Sequence, residues 1–102
     1  MQNMERGGAV YIMTNENNDV LYIGVTSDLF NRVYEHRTHA IAGSFTDRYN
    51  CTKVVWYKSF SRIEEAISEE KRLKGGSRWQ KIDEIKSINP DFKDLWEEIG
   101  NW

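Results

Sequence analysis

The feature that most constrains the fold is a pair of short apolar runs separated by a polar segment. The runs are residues 10–12 and 22–24, and the segment between them, residues 14–19, is rich in Asn and Asp. Apolar runs of this length on either side of such a segment predict a β-hairpin. A turn centred in the middle of the segment would place Tyr11 directly opposite Tyr22 on one face of the ribbon. A one-residue bulge would shift that register.

Two roles are open for these tyrosines, an ordinary cross-strand aromatic contact and a catalytic pair. The residues that follow favour the second. Ser27 or Asp28 can cap a helix that runs to about Arg37. The apolar stripe of that helix is Leu29, Phe30, Val33 and Tyr34. Arg32 and His36 flank the stripe four residues apart, so they share a helix face and could bind one small anion together. The alternative is a solvated pair at the edge of the helix.

A carboxylate in an unusual place marks the next predicted helix, which runs from Ser61 to about Leu73. The apolar positions of this helix are Ile63, Ala66, Ile67 and Leu73. Glu70 projects into the middle of that stripe, whereas Glu69 and the two glutamates at the helix start fall towards its flanks or away from it. A carboxylate turned towards a core is costly unless a cation, a metal or a donor compensates it. Glu70 is therefore a candidate metal ligand, and an ion pair to Lys74 or to an arginine is the alternative.

The remaining elements follow from apolar spacing and from breaks. Residues 54–57 predict a third strand, residues 40–50 a loop, and Trp79, Ile82 and Ile85 a third helix that Asn89 and Pro90 end. A final short helix is predicted from the spacing of Phe92, Leu95, Trp96 and Ile99, with Trp102 continuing its apolar patch. The predicted order is β-β-α-β-α followed by C-terminal helices.

Length and composition limit the class of protein. The 102 residues predict one domain, 1–102, with a core at about 8–95 and enough apolar residues to bury it. No apolar run approaches the ~20 residues of a membrane span, so we expect a cytoplasmic protein without a signal peptide or an anchor. The lone Cys51 suits a reducing compartment and is expected to be a small buried residue at the start of a strand.

Net charge argues against a strongly basic nucleic-acid-binding protein, because 14 Lys and Arg stand against 16 Asp and Glu. The cations are nevertheless clustered. Residues 71–81 hold five cations and no acid, whereas residues 82–102 hold six acids and two cations. A local basic face is therefore expected, provided that the acidic stretch from Asp83 to Glu98 points away. Its predicted members are Lys71, Arg72, Lys74, Arg78 and Lys81.

Several short motifs of this chain resemble, in their residues and their order, those of the GIY-YIG nucleases, above all the small stand-alone members of that superfamily. Residues 10–12 stand where the family has Gly-Ile-Tyr or a variant, and residues 22–24 are the second motif unaltered. Four further segments also resemble motifs of the family, namely residues 25–36, 45–50, 70–74 and 89–92. The resemblance covers about residues 8–95 and implies an α+β fold, with a small three-stranded antiparallel sheet flanked by helices.

The resemblance also implies an activity. It implies an endonuclease that hydrolyses phosphodiester bonds of nucleic acid, with DNA as the expected substrate and repair, recombination or processing of structured DNA as the expected context. Glu70 would hold one divalent ion, Mg²⁺ or Mn²⁺. Tyr11, alone or with His36, would act as the base. Tyr22 would orient the water or donate to a phosphate oxygen, and Arg32 would stabilise charge on the phosphate. Motif residues with structural roles would be Gly24 and Asn89.

The expected partners are nucleic acid, contacted also by Arg48, and no membrane, with the protein a monomer or a weak homodimer. Two other functions stay open at this point. One is a catalytically weak module that binds nucleic acid or protein on the same fold. The other is a phosphoesterase with a small nucleotide substrate.

Overall fold

Three strands and five helices make up the fold in the computed structural model, which describes residues 7–100. The elements are β1 (Gly8–Thr14), β2 (Leu21–Thr26), α1 (Leu29–Arg37), α2 (Phe45–Arg48), β3 (Lys53–Phe60), α3 (Ile63–Lys74), α4 (Arg78–Ile88) and α5 (Trp96–Gly100). The strands form one antiparallel sheet in the order β2-β1-β3. The predicted α+β fold with a three-stranded antiparallel sheet is confirmed.

The predicted register of the β1–β2 hairpin is wrong by two residues. Tyr11 lies opposite Gly24, and Tyr22 lies opposite Met13. The connection is centred one residue later than expected because the Asn15 side chain accepts hydrogen bonds from the backbone N–H groups of residues 19 and 20, at 2.8 and 3.1 Å. Since side chains alternate with a period of two, a shift of two residues keeps both tyrosines on one face. Their ring centroids are 6.3 Å apart.

The two faces of the sheet carry separate cores, because successive residues of β1 point in opposite directions. On one face, which we call the α1 face, Tyr11 and Met13 pack with residues of α1 and α5. On the other, which we call the α3 face, Val10 and Ile12 pack with residues of α3 and α4. All four of these β1 side chains are buried.

Several sequence predictions about individual segments and residues are wrong. Residues 40–50 contain the short helix α2 instead of a continuous loop. The last helix begins at Trp96, because Phe92 has a φ of 52° and packs on the α3 face, away from α5. Phe30, Tyr34 and Trp79 are exposed. Trp102 lies outside the described residues.

The predicted cap and end of two helices and the expected burial of Cys51 are confirmed. Asp28 caps α1, and its carboxylate accepts a hydrogen bond from the backbone of Asn31 at 3.2 Å. The helix α4 ends at Ile88, before Asn89 and Pro90. Cys51 is buried. Within residues 7–100, no helix is long and apolar enough to cross a membrane.

Candidate active site

A buried chain of hydrogen bonds links β1 to α1 and α2 on the α1 face. The Tyr11 hydroxyl lies 2.8 Å from Nε2 of His36, and Nδ1 of His36 lies 2.7 Å from Oγ1 of Thr46. These three residues expose 1%, 4% and 2% of their surfaces. Both ring nitrogens of the imidazole are therefore paired away from bulk water, as a buried polar group requires.

Gly24 makes room for the Tyr11 ring. The two residues are directly opposed across β1 and β2, and a Cβ atom at position 24 would overlap the ring and hydroxyl of Tyr11. A residue without a side chain is thus required if the Tyr11 hydroxyl is to reach His36. This explains physically why a tyrosine motif on β1 is accompanied by a glycine on β2.

Arg32 and Tyr22 complete the cluster on its solvent side. The Arg32 guanidinium lies beside the Tyr11 hydroxyl and is also paired with Glu35 at 3.0 Å. Its side chain is 35% exposed, so the cation is accessible to a ligand. The Tyr22 ring lies edge-on to His36, with a centroid distance of 5.4 Å. The four residues proposed from the sequence as a catalytic set, Tyr11, Tyr22, Arg32 and His36, are thus neighbours.

Burial keeps both the Tyr11 phenol and the His36 imidazole uncharged at pH 7. Burial and the nearby Tyr22 raise the pKa of Tyr11, against the opposing effect of Arg32. Burial, and then the positive charge of Arg32, lower the pKa of His36 to about 4. The Tyr11 phenol keeps its proton, and the neutral His36 imidazole has a proton on only one ring nitrogen. His36 can therefore accept a proton on the other ring nitrogen.

Thr46 is the residue of this network that the sequence prediction missed. It lies on α2, in the segment predicted as a loop, and its role depends on a contact with a side chain ten residues earlier. A local signal does exist, because Ser44 precedes Asp47 by three residues, the spacing typical of a helix start. The Ser44 hydroxyl accepts a hydrogen bond from the backbone of Asp47 at 3.3 Å. That pattern indicates the helix but not its histidine partner.

Glu70 lies on α3, on the opposite face of the sheet from Tyr11, and is paired with Lys74 at 2.8 Å. Its side chain is 14% exposed, and that of Glu69 is 13% exposed, so the expectation that Glu70 alone is turned inward is wrong. The reason is that both flank the buried line of α3. Consecutive helix residues are about 100° apart, so Glu69 and Glu70 lie on opposite flanks of that line. The pKa of Glu69 is lowered by its main partner Arg72 and then by the charge of Lys58 on β3.

Among the described residues, the available metal ligand is a carboxylate, which suits a hard divalent cation that keeps most of its water ligands. No group of three or more His, Cys, Asp or Glu side chains in that part of the chain could hold a metal. A single carboxylate is nevertheless sufficient for Mg²⁺, which keeps most of its waters and binds substrate phosphates. The competing Glu70–Lys74 pair is a partly exposed pair within one helix, a kind worth ~0.3–0.5 kcal/mol.

The cations of residues 71–81 are closer to acids than their order in the chain suggests. Arg72 contacts both carboxylate oxygens of Glu69, at 2.7 and 2.9 Å, and lies 3.8 Å from Glu84. Asp83 and Glu84 also line a groove of about 610 Å³ together with Lys71 and Lys81. The expectation that the acidic stretch points away is therefore wrong at its first two residues. Folding brings α3 and the first turns of α4 together, which sequence order does not show.

The remaining predicted motif residues have defined positions. The Asn89 side chain is buried and donates to the backbone carbonyls of Val55 and Lys93, at 3.0 and 2.8 Å. It thereby ties the segment after α4 to β3. Arg48 is exposed, with its guanidinium carbon 5.6 Å from the Tyr49 ring centroid. Arg78 donates to the backbone carbonyl of Asn18 at 3.3 Å.

The chain belongs to the GIY-YIG family, because the sequence model of that family, described as the GIY-YIG catalytic domain, matches residues 7–83. This family is one of nucleases. Among solved structures, the fold is similar to the solution NMR structure of a UPF0213 protein from Bacillus halodurans, with a TM-score of 0.56 and 22% identity over 87% of this chain and 93% of that one. A likeness at this identity concerns the fold. The comparison with curated proteins gave no match.

Proposed function

We propose that this protein is a metal-dependent endonuclease that hydrolyses phosphodiester bonds of DNA. The observation that supports this function best is the convergence of two tyrosines, a neutral histidine and an accessible arginine from β1, β2 and α1. A proton acceptor and a cation side by side are what hydrolysis of a phosphodiester needs. The family membership gives the reaction class.

Tyr11 and His36 act together as the base in this proposal. A water proton passes to the Tyr11 oxygen while the phenolic proton passes to Nε2 of His36, and the hydroxide formed attacks phosphorus. The P–O bond to the leaving oxygen breaks in the same step, and the leaving oxygen takes a proton from solvent. The proton on Nδ1 then stays hydrogen-bonded to Thr46, which fixes the tautomer that leaves Nε2 free. This arrangement avoids a free tyrosinate, which the raised pKa of Tyr11 disfavours.

Arg32 and Tyr22 act on the phosphate in this proposal. Arg32 stabilises the negative charge that builds on the phosphoryl oxygens, because a cation already in place needs no reorganisation during the reaction. Tyr22, which lies between the buried pair and the exposed surface, orients the attacking water or donates to a phosphate oxygen.

Glu70 would hold the divalent ion, Mg²⁺ or Mn²⁺. Such an ion supplies Lewis-acid stabilisation of the phosphate and of the leaving oxygen. Glu70 is part of α3, which packs against β2, and β2 is an edge strand of the sheet. A phosphate bound at that edge would be reached from α1 on one side and from α3 on the other.

Metal-dependent cleavage tests the proposal. Plasmid and branched DNA should be cut with Mg²⁺ or Mn²⁺ and remain intact with chelator. Glu70→Gln should abolish metal-stimulated cleavage in a folded protein, because the swap keeps the size of the side chain and removes its charge. Glu69→Gln is the matched control, since it removes an equally covered, ion-paired carboxylate from the other flank of α3. Full activity of Glu70→Gln, or equal loss in both variants, would contradict the ligand assignment.

A binding module without turnover is the second candidate. The near-complete burial of Tyr11 and His36, together with the pairing of Glu70 by Lys74, favours it. This candidate predicts that the protein shifts DNA in a gel and gives no product with any metal.

A further inference from the structure

A row of aromatic rings leads from the candidate active site to the surface. The Tyr22 ring is stacked on Phe45 with a centroid distance of 5.7 Å, and Phe45 contacts Tyr49 at 4.7 Å. The Arg48 guanidinium lies over the Tyr49 ring. We call Tyr22, Phe45, Tyr49 and Arg48 the aromatic row. The proposed chemistry gives no role to Phe45 or Tyr49.

Phe45 and Tyr49 offer open ring surface. Each residue is 44% exposed, although both carry large apolar rings. Tyr22 touches Phe45 on one side and His36 on the other, so the row begins at the buried pair itself. A planar ligand placed on Phe45 would therefore be connected to the Tyr11–His36 pair through the Tyr22 ring.

The segment that carries these rings is held in place. Ser44 caps α2, and the Asp47 carboxylate accepts hydrogen bonds from the backbone of Gly43 at 2.8 Å and from His39 at 2.9 Å. Thr46, between the two ends of this helix, is tied to His36. The rings are thus preorganised relative to the active site, which lowers the entropic cost of binding a ligand on them.

We propose that the aromatic row is a subsite for an unpaired nucleobase next to the scissile phosphate. Every base has a π-face, so stacking on aromatic side chains binds bases with little sequence preference, and a neighbouring arginine adds to the attraction. A base inside a duplex is stacked on both sides and cannot offer that face. The row therefore selects strands with an unpaired or displaced base near the cleavage position. This inference rests on the proposed nuclease function.

The test measures binding to DNA strands with and without bases. The probe is a labelled single-stranded DNA of about 12 nucleotides, within the range of site sizes of single-strand-binding folds, and the same strand with abasic residues in its centre. Dissociation constants are measured by fluorescence anisotropy at one salt concentration, with chelator to prevent cleavage. The protein should bind the strand with bases more tightly than the abasic strand by on the order of 10-fold.

Variants of the row should remove that preference. Phe45→Leu and Tyr49→Leu keep apolar packing but lose the ring, so each should reduce the preference several-fold while binding to the abasic strand stays unchanged. Phe45→Trp should retain it. Tyr34→Leu is the matched control, because Tyr34 is an exposed tyrosine of α1 that contacts Trp96 and not the row.

Two results would overturn the subsite. The leucine variants would discriminate between the two strands as the parent does, or they would weaken both strands equally. If the parent cleaves DNA and these variants behave like it, the subsite fails while the nuclease function stands. If the parent binds neither strand and cleaves no DNA, both proposals fail.

Discussion

The α1 face and the α3 face of one small sheet differ in what they bury. The α1 face encloses polar groups, the Tyr11 hydroxyl, the His36 imidazole and the Thr46 hydroxyl, each paired with another. The core of the α3 face is apolar, and the charges of α3 lie on its flanks in ion pairs. Burying polar groups is costly unless they are paired. Their concentration on the α1 face places the proposed proton transfer there, whereas the α3 face would contribute one carboxylate, Glu70, as the metal ligand.

Replacing one arginine on each face, Arg32 or Arg72, should give the largest difference in turnover. Arg32→Ala should lower turnover by on the order of 10²–10³, the scale for loss of one preorganised charge-stabilising group. Arg72→Ala, on the exposed side of α3 and already neutralised by Glu69, should change turnover several-fold at most. Steady-state cleavage rates measure both. A loss below tenfold in Arg32→Ala with binding unchanged would argue against its role.

Matched glycines separate packing from chemistry. A Cβ at Gly24 would overlap Tyr11 on the α1 face, and a Cβ at Gly8 would overlap the Ile63 side chain on the α3 face. Both alanine variants should lower the free energy of unfolding by about 1–3 kcal/mol, as overpacking does. Cleavage by the folded fraction should fall only in Gly24→Ala, because it displaces the Tyr11 hydroxyl. Denaturant titration and cleavage assays decide this, and equal activity in both variants would contradict the role of Gly24.

Acid should weaken the protein through His36. Its pKa is lowered to about 4 in the folded state, so the unfolded chain binds a proton first as pH falls below about 6.5. Between about pH 7 and 5 the free energy of unfolding should fall by about 2 kcal/mol from this group. The fall should vanish in His36→Gln and persist in His39→Gln, where the exposed histidine is replaced. A flat stability profile of the parent would show that His36 titrates normally.

The smallest effect concerns the cations of α4. Replacement of Arg78 and Lys81 by Ala should flatten the log-log salt dependence of DNA binding by about two, at roughly 0.9 for each phosphate that is no longer neutralised. Stability should stay nearly unchanged, as for most surface substitutions. Binding isotherms at several salt concentrations measure the slope. A double variant with the parent slope would show that this surface is merely solvated.

Local signals predicted most of the fold, because the two apolar runs of the hairpin and the Asp28 cap of α1 are visible in short stretches of sequence. What failed depends on contacts between distant residues. The hairpin register was set by the Asn15 side chain, and the basic face was partly neutralised by Glu84 from the next helix. Thr46 gained its place in the candidate site from a buried histidine, which no periodicity reveals.

The proposed hydrolysis depends on proton transfer through the buried Tyr11–His36 pair. Tyr11→Phe removes the one oxygen that joins β1 to His36 and keeps the ring that packs over Gly24. Cleavage rates should be measured from about pH 6 to 9 for the parent and this variant, with DNA binding as the control. We expect a nearly flat parent profile and a variant that is folded, binds DNA and is ~10²–10⁴-fold slower. A variant that keeps most of the parent rate, or a parent rate that climbs steadily with pH, would contradict it.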